Sequence, residues 1–124
     1  MAAKRNASNE AAMTPALKNA YDAEMAAAIN AYRQGRLVRS FGHLETAHVL
    51  GQRHVLPHVI THWWMLKIGL KRRSLNEAAG QAVRIVLGAL GSAVGIVPTG
   101  NTGGTNVGMF KRMPIDRELQ DLMR

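Results

Sequence analysis

The spacing of apolar side chains along the chain predicts a series of amphipathic helices. Between Ala16 and Gln34 an apolar residue recurs every three or four positions, which is the period of a helix with one buried face. Thr14 followed by Pro15 is typical of an N-cap and a first helical residue. Gly35 is typical of the position just beyond a helix end. We therefore predict that the first helix runs from Ala16 to Gln34.

The same periodicity predicts four more helices. Gly51 is a natural residue just after a helix, and Pro57 suits the first position of a new one, so a short turn between the second and third helices is expected. Ser74 with Glu77 has the pattern of a capping box at the start of the fourth. The predicted helices are Arg36–Leu50, Pro57–Lys71, Ser74–Leu90 and a short terminal Arg117–Met123.

The segment after the fourth helix is irregular. Val97 to Asn106 is rich in Gly, Thr and Asn and contains the sequence GNTGG at Gly100 to Gly104, through which a helix cannot persist. It matches neither of the common glycine-rich phosphate-binding patterns. We expect its Asn and Thr side chains to pin the loop down, or the loop to fold over the helices as a lid.

These elements define the predicted fold class. We predict an all-α protein of two antiparallel helical hairpins, with the irregular Gly-rich C-terminal segment packed across them. A chain of 124 residues is long enough for one modest core and too short for two. The predicted domain therefore covers residues 14–124, and the polar, Ala-rich residues 1–13 are predicted to be a flexible lead.

Composition excludes several kinds of chemistry. The chain has no cysteine, so disulfides, thiolate metal sites and cysteine nucleophiles are excluded. Its N-terminus lacks the apolar core of a signal peptide, and its longest apolar run, Ile85 to Val97, is shorter than the roughly 17 residues of a membrane span. We therefore expect a cytoplasmic protein with no membrane span.

The net charge of +8 is compatible with nucleic acid, acidic lipid, an anionic substrate or an acidic protein. The basic residues are scattered, and the one tight cluster, Lys71 to Arg73, falls at a predicted helix end, where positive charge is favoured in any case. Nucleic acid is therefore a disfavoured partner.

The most specific chemical signal is a quartet of side chains on either side of the predicted turn. Glu45 and His48 are three positions apart, and His58 and His62 are four apart, so each pair lies on one helix face. In an antiparallel hairpin His48 then lies opposite His58 and Glu45 opposite His62. Three imidazoles and a carboxylate are suitable ligands for one divalent transition metal ion, whether Zn, Fe, Cu, Ni or Mn.

The remaining His residues are predicted to lie away from this quartet. His43 is on another face of the second helix, and His54 is in the turn. Glu24 is interpreted as a surface charge, with a carboxylate that orients a His ligand as the alternative.

The sequence leaves the function open at this point. If the quartet binds metal, open coordination positions would allow catalysis, but no separate nucleophile or general base stands out. The alternative is a basic helical interaction module, without metal, that binds an acidic protein or nucleic acid through Arg36, Arg39, Arg53 and Lys71 to Arg73. Self-association is also expected, because a domain this small, with the adjacent Trp63 and Trp64 and a Gly/Ala-rich helix end, leaves apolar surface to cover.

Several stretches, in order, resemble a family of small bacterial proteins known only as a domain of unknown function. They are HLETAHVLGQ, PHVITHWWMLKIGLKRR, EAAGQAVRIVLG, VPTGNTGGTNV and MPI, and the resemblance as a whole covers about Ala31 to Ile115. The shared pattern includes Glu45, His48, His58, His62 and the GNTGG loop, but not His43 or His54. The resemblance brings no established activity.

Overall fold

The computed structural model describes residues 12–94, 100–105, 107–108 and 111–124. Its regular secondary structure within these ranges is entirely helical, which confirms the predicted fold class. Most of the predicted flexible lead lies outside the described residues. The helices are α1 (Pro15–Arg33), α2 (Leu37–Gly51), α3 (Val55–Lys71), α4 (Leu75–Val94) and α5 (Arg117–Leu122).

The helices form the predicted hairpins. α1 packs closely against α2, α3 packs against α4, and α2 also contacts α3. The start of α1 is as expected, since Thr14 Oγ1 accepts a hydrogen bond from the backbone N–H of Leu17 at 3.2 Å. The apolar faces of α1, α2 and α3 meet in one core. Its most deeply buried large side chains are Leu44, Leu50, Met65 and Ile68.

The turn between α2 and α3 is shorter than the sequence indicated. Gly51 is the last residue of α2, and α3 begins at Val55, two residues before Pro57. Gly51 is present for close packing, because a Cβ there would lie 2.9 Å from the ring of Tyr21 and 3.0 Å from Pro57. Pro57 is tolerated in the first turn of α3, where backbone N–H groups have no helical partner.

The fourth helix begins near its predicted start and ends later than predicted. Ser74 Oγ accepts from the backbone N–H of Glu77 at 3.3 Å, which is one half of a capping box. α4 continues past Leu90 to Val94, so Gly91 does not end it. No helix in the described part of the chain is both long enough and apolar enough to cross a membrane.

The GNTGG loop is braced within the C-terminal segment by the side chain of Asn101 and is bound to α4 by Gln81. Asn101 Nδ2 donates to the carbonyls of Gly108 and Lys111, each at 2.8 Å, and Asn101 Oδ1 accepts from Gly103 N at 2.9 Å. The carbonyl of Gly103 accepts from Gln81 of α4 at 2.9 Å. The described part of the loop therefore packs across α4, as expected for the C-terminal segment.

Candidate metal centre

Three histidines from two helices meet at one point. His48 lies in the last turn of α2, His58 in the first turn of α3, and His62 one turn further along α3. The Nε2 atom of His48 is 2.9 Å from Nε2 of His58 and 3.0 Å from Nε2 of His62, and the third Nε2 to Nε2 distance is 3.1 Å. All three side chains are buried. Their Nε2 atoms face one common centre.

Neighbouring acceptors fix the tautomer of two of these rings. Nδ1 of His48 lies 2.6 Å from the carbonyl oxygen of Asn101, which can only accept, so this nitrogen carries the proton. Nδ1 of His62 lies 2.6 Å from Oε1 of Gln81. The amide of Gln81 is oriented by its own Nε2, which donates to Glu77 Oε1 and to the Gly103 carbonyl, both at 2.9 Å. His62 Nδ1 is therefore also a donor.

The tautomers have a direct consequence for the centre. A neutral imidazole that is protonated on Nδ1 has only a lone pair on Nε2. The Nε2 lone pairs of His48 and His62 therefore meet at 3.0 Å, with no hydrogen between them. Such an arrangement is favourable when a cation lies between the nitrogen atoms.

Burial keeps these rings neutral. The pKa of His48 is well below its ordinary value, because of desolvation first and then the neighbouring His62 and His58. Desolvation is also the main cause that lowers the pKa of His58 and of His62 to about 4. Arg84, which is itself buried, lowers the pKa of His48 and His62 further. Neutral imidazole is the form that binds metal.

Two glycines allow other elements to approach the rings closely. A Cβ on Gly88 of α4 would lie 3.1 Å from Cε1 of His58, and one on Gly103 would lie 2.6 Å from Cδ2 of His48. Gly103 also has a φ of +85°, which favours glycine. α4 and the GNTGG loop thus form two walls of the centre.

Glu45 is the one member of the predicted quartet outside this cluster. Among the described residues, the ligand-type atoms within 4.8 Å of one another belong to His48, His58 and His62. Glu45 is half-buried beside Glu77 and Thr105 in a surface pocket. Its pKa is raised by burial and by Glu77, against a hydrogen bond from Thr102. A ligand role for Glu45 stays a prediction.

The other two histidines lie apart from the cluster. His43 Nδ1 is 2.7 Å from Glu24 Oε2, so Glu24 contacts a His outside the cluster and not one of the three candidate ligands. His54 is the residue before α3. The sequence reasoning missed Gln81 and Arg84, and although it expected the Asn side chains to pin the loop down, it did not place Asn101 against His48. A signal for Gln81 was its i, i+4 spacing from Glu77 on α4.

The fold and the centre together define a small helical protein with a buried cluster of three histidines, two of which have a fixed tautomer. The chain belongs to the family described as "Protein of unknown function (DUF3703)", whose model matches residues 15–123. The resemblance seen in the sequence is thereby confirmed at the level of the family. No curated protein and no solved structure matches the chain.

Proposed function

We propose that this protein binds one divalent transition metal ion through Nε2 of His48, His58 and His62. The observation that carries the proposal is that the three Nε2 atoms lie 2.9 to 3.1 Å from one another. In addition, Nδ1 of His48 and Nδ1 of His62 donate their protons to Asn101 and Gln81. Metal-binding histidines usually donate their second ring nitrogen to a carbonyl or amide oxygen in this way.

Three protein ligands would leave part of the coordination sphere of such an ion open. Three imidazoles on one face of a five- or six-coordinate ion leave two or three positions for water, a carboxylate such as Glu45, or a substrate. Fe, Mn, Ni and Cu suit this arrangement, and Zn with a water or a fourth protein ligand is the alternative.

Metal-dependent catalysis belongs to the same proposal. An ion with open coordination positions would supply either Lewis acidity or an activated water. Glu45 lies one helical turn before His48, and its raised pKa suits a carboxyl group that exchanges a proton with such a water.

The direct test is elemental analysis of the protein purified without a His tag. We expect close to one transition metal ion per chain, and loss of that metal in the variants His48→Ala, His58→Ala and His62→Ala. The matched controls are His43→Ala and His54→Ala, which remove a histidine of the same chain outside the cluster and should retain the metal. Circular dichroism of each variant separates loss of metal from loss of fold.

Two further measurements sharpen the result. Glu45→Gln should lower metal content if Glu45 is a ligand, and should leave it unchanged if Glu45 acts only on bound water. The visible spectrum of the Co²⁺ form distinguishes weakly absorbing five- or six-coordinate ions from strongly absorbing tetrahedral ones. Absence of metal from the wild-type protein, even after incubation with Zn²⁺, Co²⁺ or Ni²⁺, would disprove the proposal. Salt-sensitive nucleic-acid binding in that case would favour the interaction module instead.

A further inference from the structure

The fold brings together cations that are scattered along the sequence. The end of α3 lies against the end of α1, because Lys71 Nζ donates to the carbonyl of Tyr32 at 3.4 Å. It also lies against the start of α2, since Cζ of Arg72 is 6.0 Å from the ring centre of Phe41. The α1–α2 and α3–α4 turns are therefore at one end of the molecule, which we call the basic end. Its seven cations are Arg33, Arg36, Arg39, Lys67, Lys71, Arg72 and Arg73.

Acidic groups do not balance these cations. Within the described residues, none of the seven takes part in an ion pair shorter than 4 Å. α3 has no acidic residue, and α2 and α4 have one each, Glu45 and Glu77. Both line a pocket with Arg72, but Glu45 accepts a hydrogen bond from Thr102 and Glu77 accepts one from Gln81. The basic end therefore carries a surplus of positive charge.

Stabilisation of helix ends does not account for all of these cations. The helix dipole favours positive charge in the last turn of a helix and disfavours it in the first. Lys71 is at the favourable end of α3, but Arg36 and Arg39 lie at the start of α2. Arg36 is the N-cap residue of α2, and its side chain makes no capping hydrogen bond, as Ser, Thr, Asp or Asn would. These two arginines are present against the local preference of the helix.

Arg73 occupies a backbone position at which glycine would be more stable. Its φ is +56°, and a residue with a Cβ loses conformational energy there. Gly35 has the equivalent position in the α1–α2 turn, with a φ of +73°. The backbone N–H of each donates at 3.0 Å to the carbonyl three residues earlier, Leu70 or Tyr32. Residues kept in such a conformation cluster at functional sites, so the arginine indicates a use for its charge outside the fold.

Two exposed leucines flank the basic α3–α4 turn. Leu70, immediately before Lys71, is 57% exposed, and Leu75, the first residue of α4, is 79% exposed. The phosphates of a nucleic acid would match the cations but would not bury the leucines. The surface of an anionic membrane offers both partners at one place, because its phosphates lie directly above apolar acyl chains.

We propose that the basic end binds the surface of an anionic phospholipid membrane. The cations of the α3–α4 turn contact headgroup phosphates, and Leu70 and Leu75 insert beside them. The contact is peripheral, and it is independent of the metal centre. A nucleic acid and an acidic protein are the competing occupants of the same surface.

Co-sedimentation of the full chain with vesicles tests the proposal. We expect binding to mixed phosphatidylglycerol–phosphatidylcholine vesicles that weakens as salt is added, because salt screens the charges. Pure phosphatidylcholine vesicles, which carry no net charge, should not bind the protein. Binding should persist in EDTA, so its failure is distinguishable from failure of metal binding.

Two variants separate membrane binding from folding. Arg73→Gly should lower the membrane partition coefficient by roughly fivefold, the usual effect of losing one cation near an anionic surface. Its thermal midpoint should stay the same or rise, because glycine is favoured at a φ of +56°. Leu75→Gln leaves the charge unchanged and should weaken binding by roughly threefold or more, because an inserted apolar side chain is lost.

Arg72→Glu and Arg53→Glu form a matched pair that makes the same change of charge at opposite ends of α3. Arg53 is exposed in the α2–α3 turn. α3 has 17 residues and is therefore about 25 Å long, whereas the Debye length is about 10 Å at 0.1 M salt. Arg72→Glu should weaken binding by roughly tenfold or more, and Arg53→Glu should leave it nearly unchanged.

The opposite results would overturn the proposal. They are no binding to the anionic vesicles at low salt, an equal loss of binding in Arg53→Glu and Arg72→Glu, or full binding by Leu75→Gln. If the chain does not bind vesicles but binds duplex DNA or polyglutamate, and Arg72→Glu abolishes that binding, the basic end is a site for a nucleic acid or an acidic protein instead.

Discussion

At the scale of single residues, the chemistry of the centre depends on hydrogen bonds made on the far side of each ring. The Asn101 carbonyl and the Gln81 side chain hold the protons of His48 and His62 on Nδ1. Removing such an acceptor lets the ring rotate or adopt the other tautomer, which places a proton where the metal should bind. The partners of the histidines therefore matter nearly as much as the histidines themselves.

Replacing Gln81 by Leu should weaken metal binding without removing any ligand. The change deletes the acceptor of His62 Nδ1 and also the donor to Glu77 and Gly103. We expect the metal dissociation constant to rise by about 10- to 100-fold, the usual effect of losing such a partner. Competition with a chromophoric chelator measures it. Gln120→Leu, at an exposed glutamine of α5, serves as the control, and equal affinities in the two variants would contradict this role for Gln81.

Sequence reasoning found the three histidines but not the residues that orient them. His58 and His62 are one helical turn apart, and His48 lies at a similar distance on the other side of the turn, so local geometry was enough. Gln81 is 19 positions from His62, and Asn101 is 53 positions from His48. Such pairs depend on how α4 and the loop pack, which periodicity alone does not determine. The placement of Glu45 depends in the same way on its contact with Thr102.

At the scale of whole elements, the glycines explain where the predicted boundaries were right and where they were wrong. Gly35 does follow the end of α1, with a φ of +73°. Gly51 looked similar in the sequence, but it is the last residue of α2, and glycine is required there because Tyr21 and Pro57 leave no room for a side chain. Gly91 likewise lies within α4. A glycine required for close packing has the same sequence signature as one that ends a helix.

Two glycine variants separate backbone strain from contact with the metal centre. Gly35 and Gly103 both have positive φ, but a Cβ at Gly35 would meet nothing within 4 Å, whereas one at Gly103 would lie 2.6 Å from His48. We expect Gly35→Ala to lower the free energy of unfolding by about 1 to 2 kcal/mol and to leave metal affinity unchanged. Gly103→Ala should cost more and should also weaken metal binding, because the loop must move off the His48 ring.

Urea titrations with and without metal measure both effects. If Gly103→Ala behaves like Gly35→Ala in stability and in metal affinity, the loop is not a wall of the centre in solution.

At the scale of the whole molecule, the buried histidines link stability to pH. The pKa values of His58 and His62 fall from 6.5, the ordinary value expected in the unfolded chain, to about 4 in the folded protein. The pKa of His48 is also lowered. Between these values the unfolded chain binds more protons than the folded one, so protonation favours unfolding. The raised pKa of Glu45 has the opposite effect on stability, because the folded state then binds more protons at this group. The three histidines outweigh this single carboxyl group.

The metal-free protein should therefore be most stable above about pH 6.5 and lose stability as the pH falls toward 4. Urea midpoints measured in EDTA across this range would show the decline. His58→Leu removes one titrating ring while keeping an apolar side chain at the site, so its decline should be shallower than that of the wild type. An identical pH dependence in the variant would show that His58 is not held neutral by burial.

The position of the GNTGG loop against His48 has a consequence for how an ion enters and leaves. All three rings are at most 5% exposed, and the loop and α4 form walls of the centre. If an ion binds here as proposed, the described part of the chain would enclose it, and it would exchange most readily when one wall moves away. Loading and release would then be gated events, with a maximum rate set by how often the loop opens rather than by the concentration of metal or chelator. A centre of only moderate affinity would retain its ion for a long time, and its residence time would measure the motion of the loop.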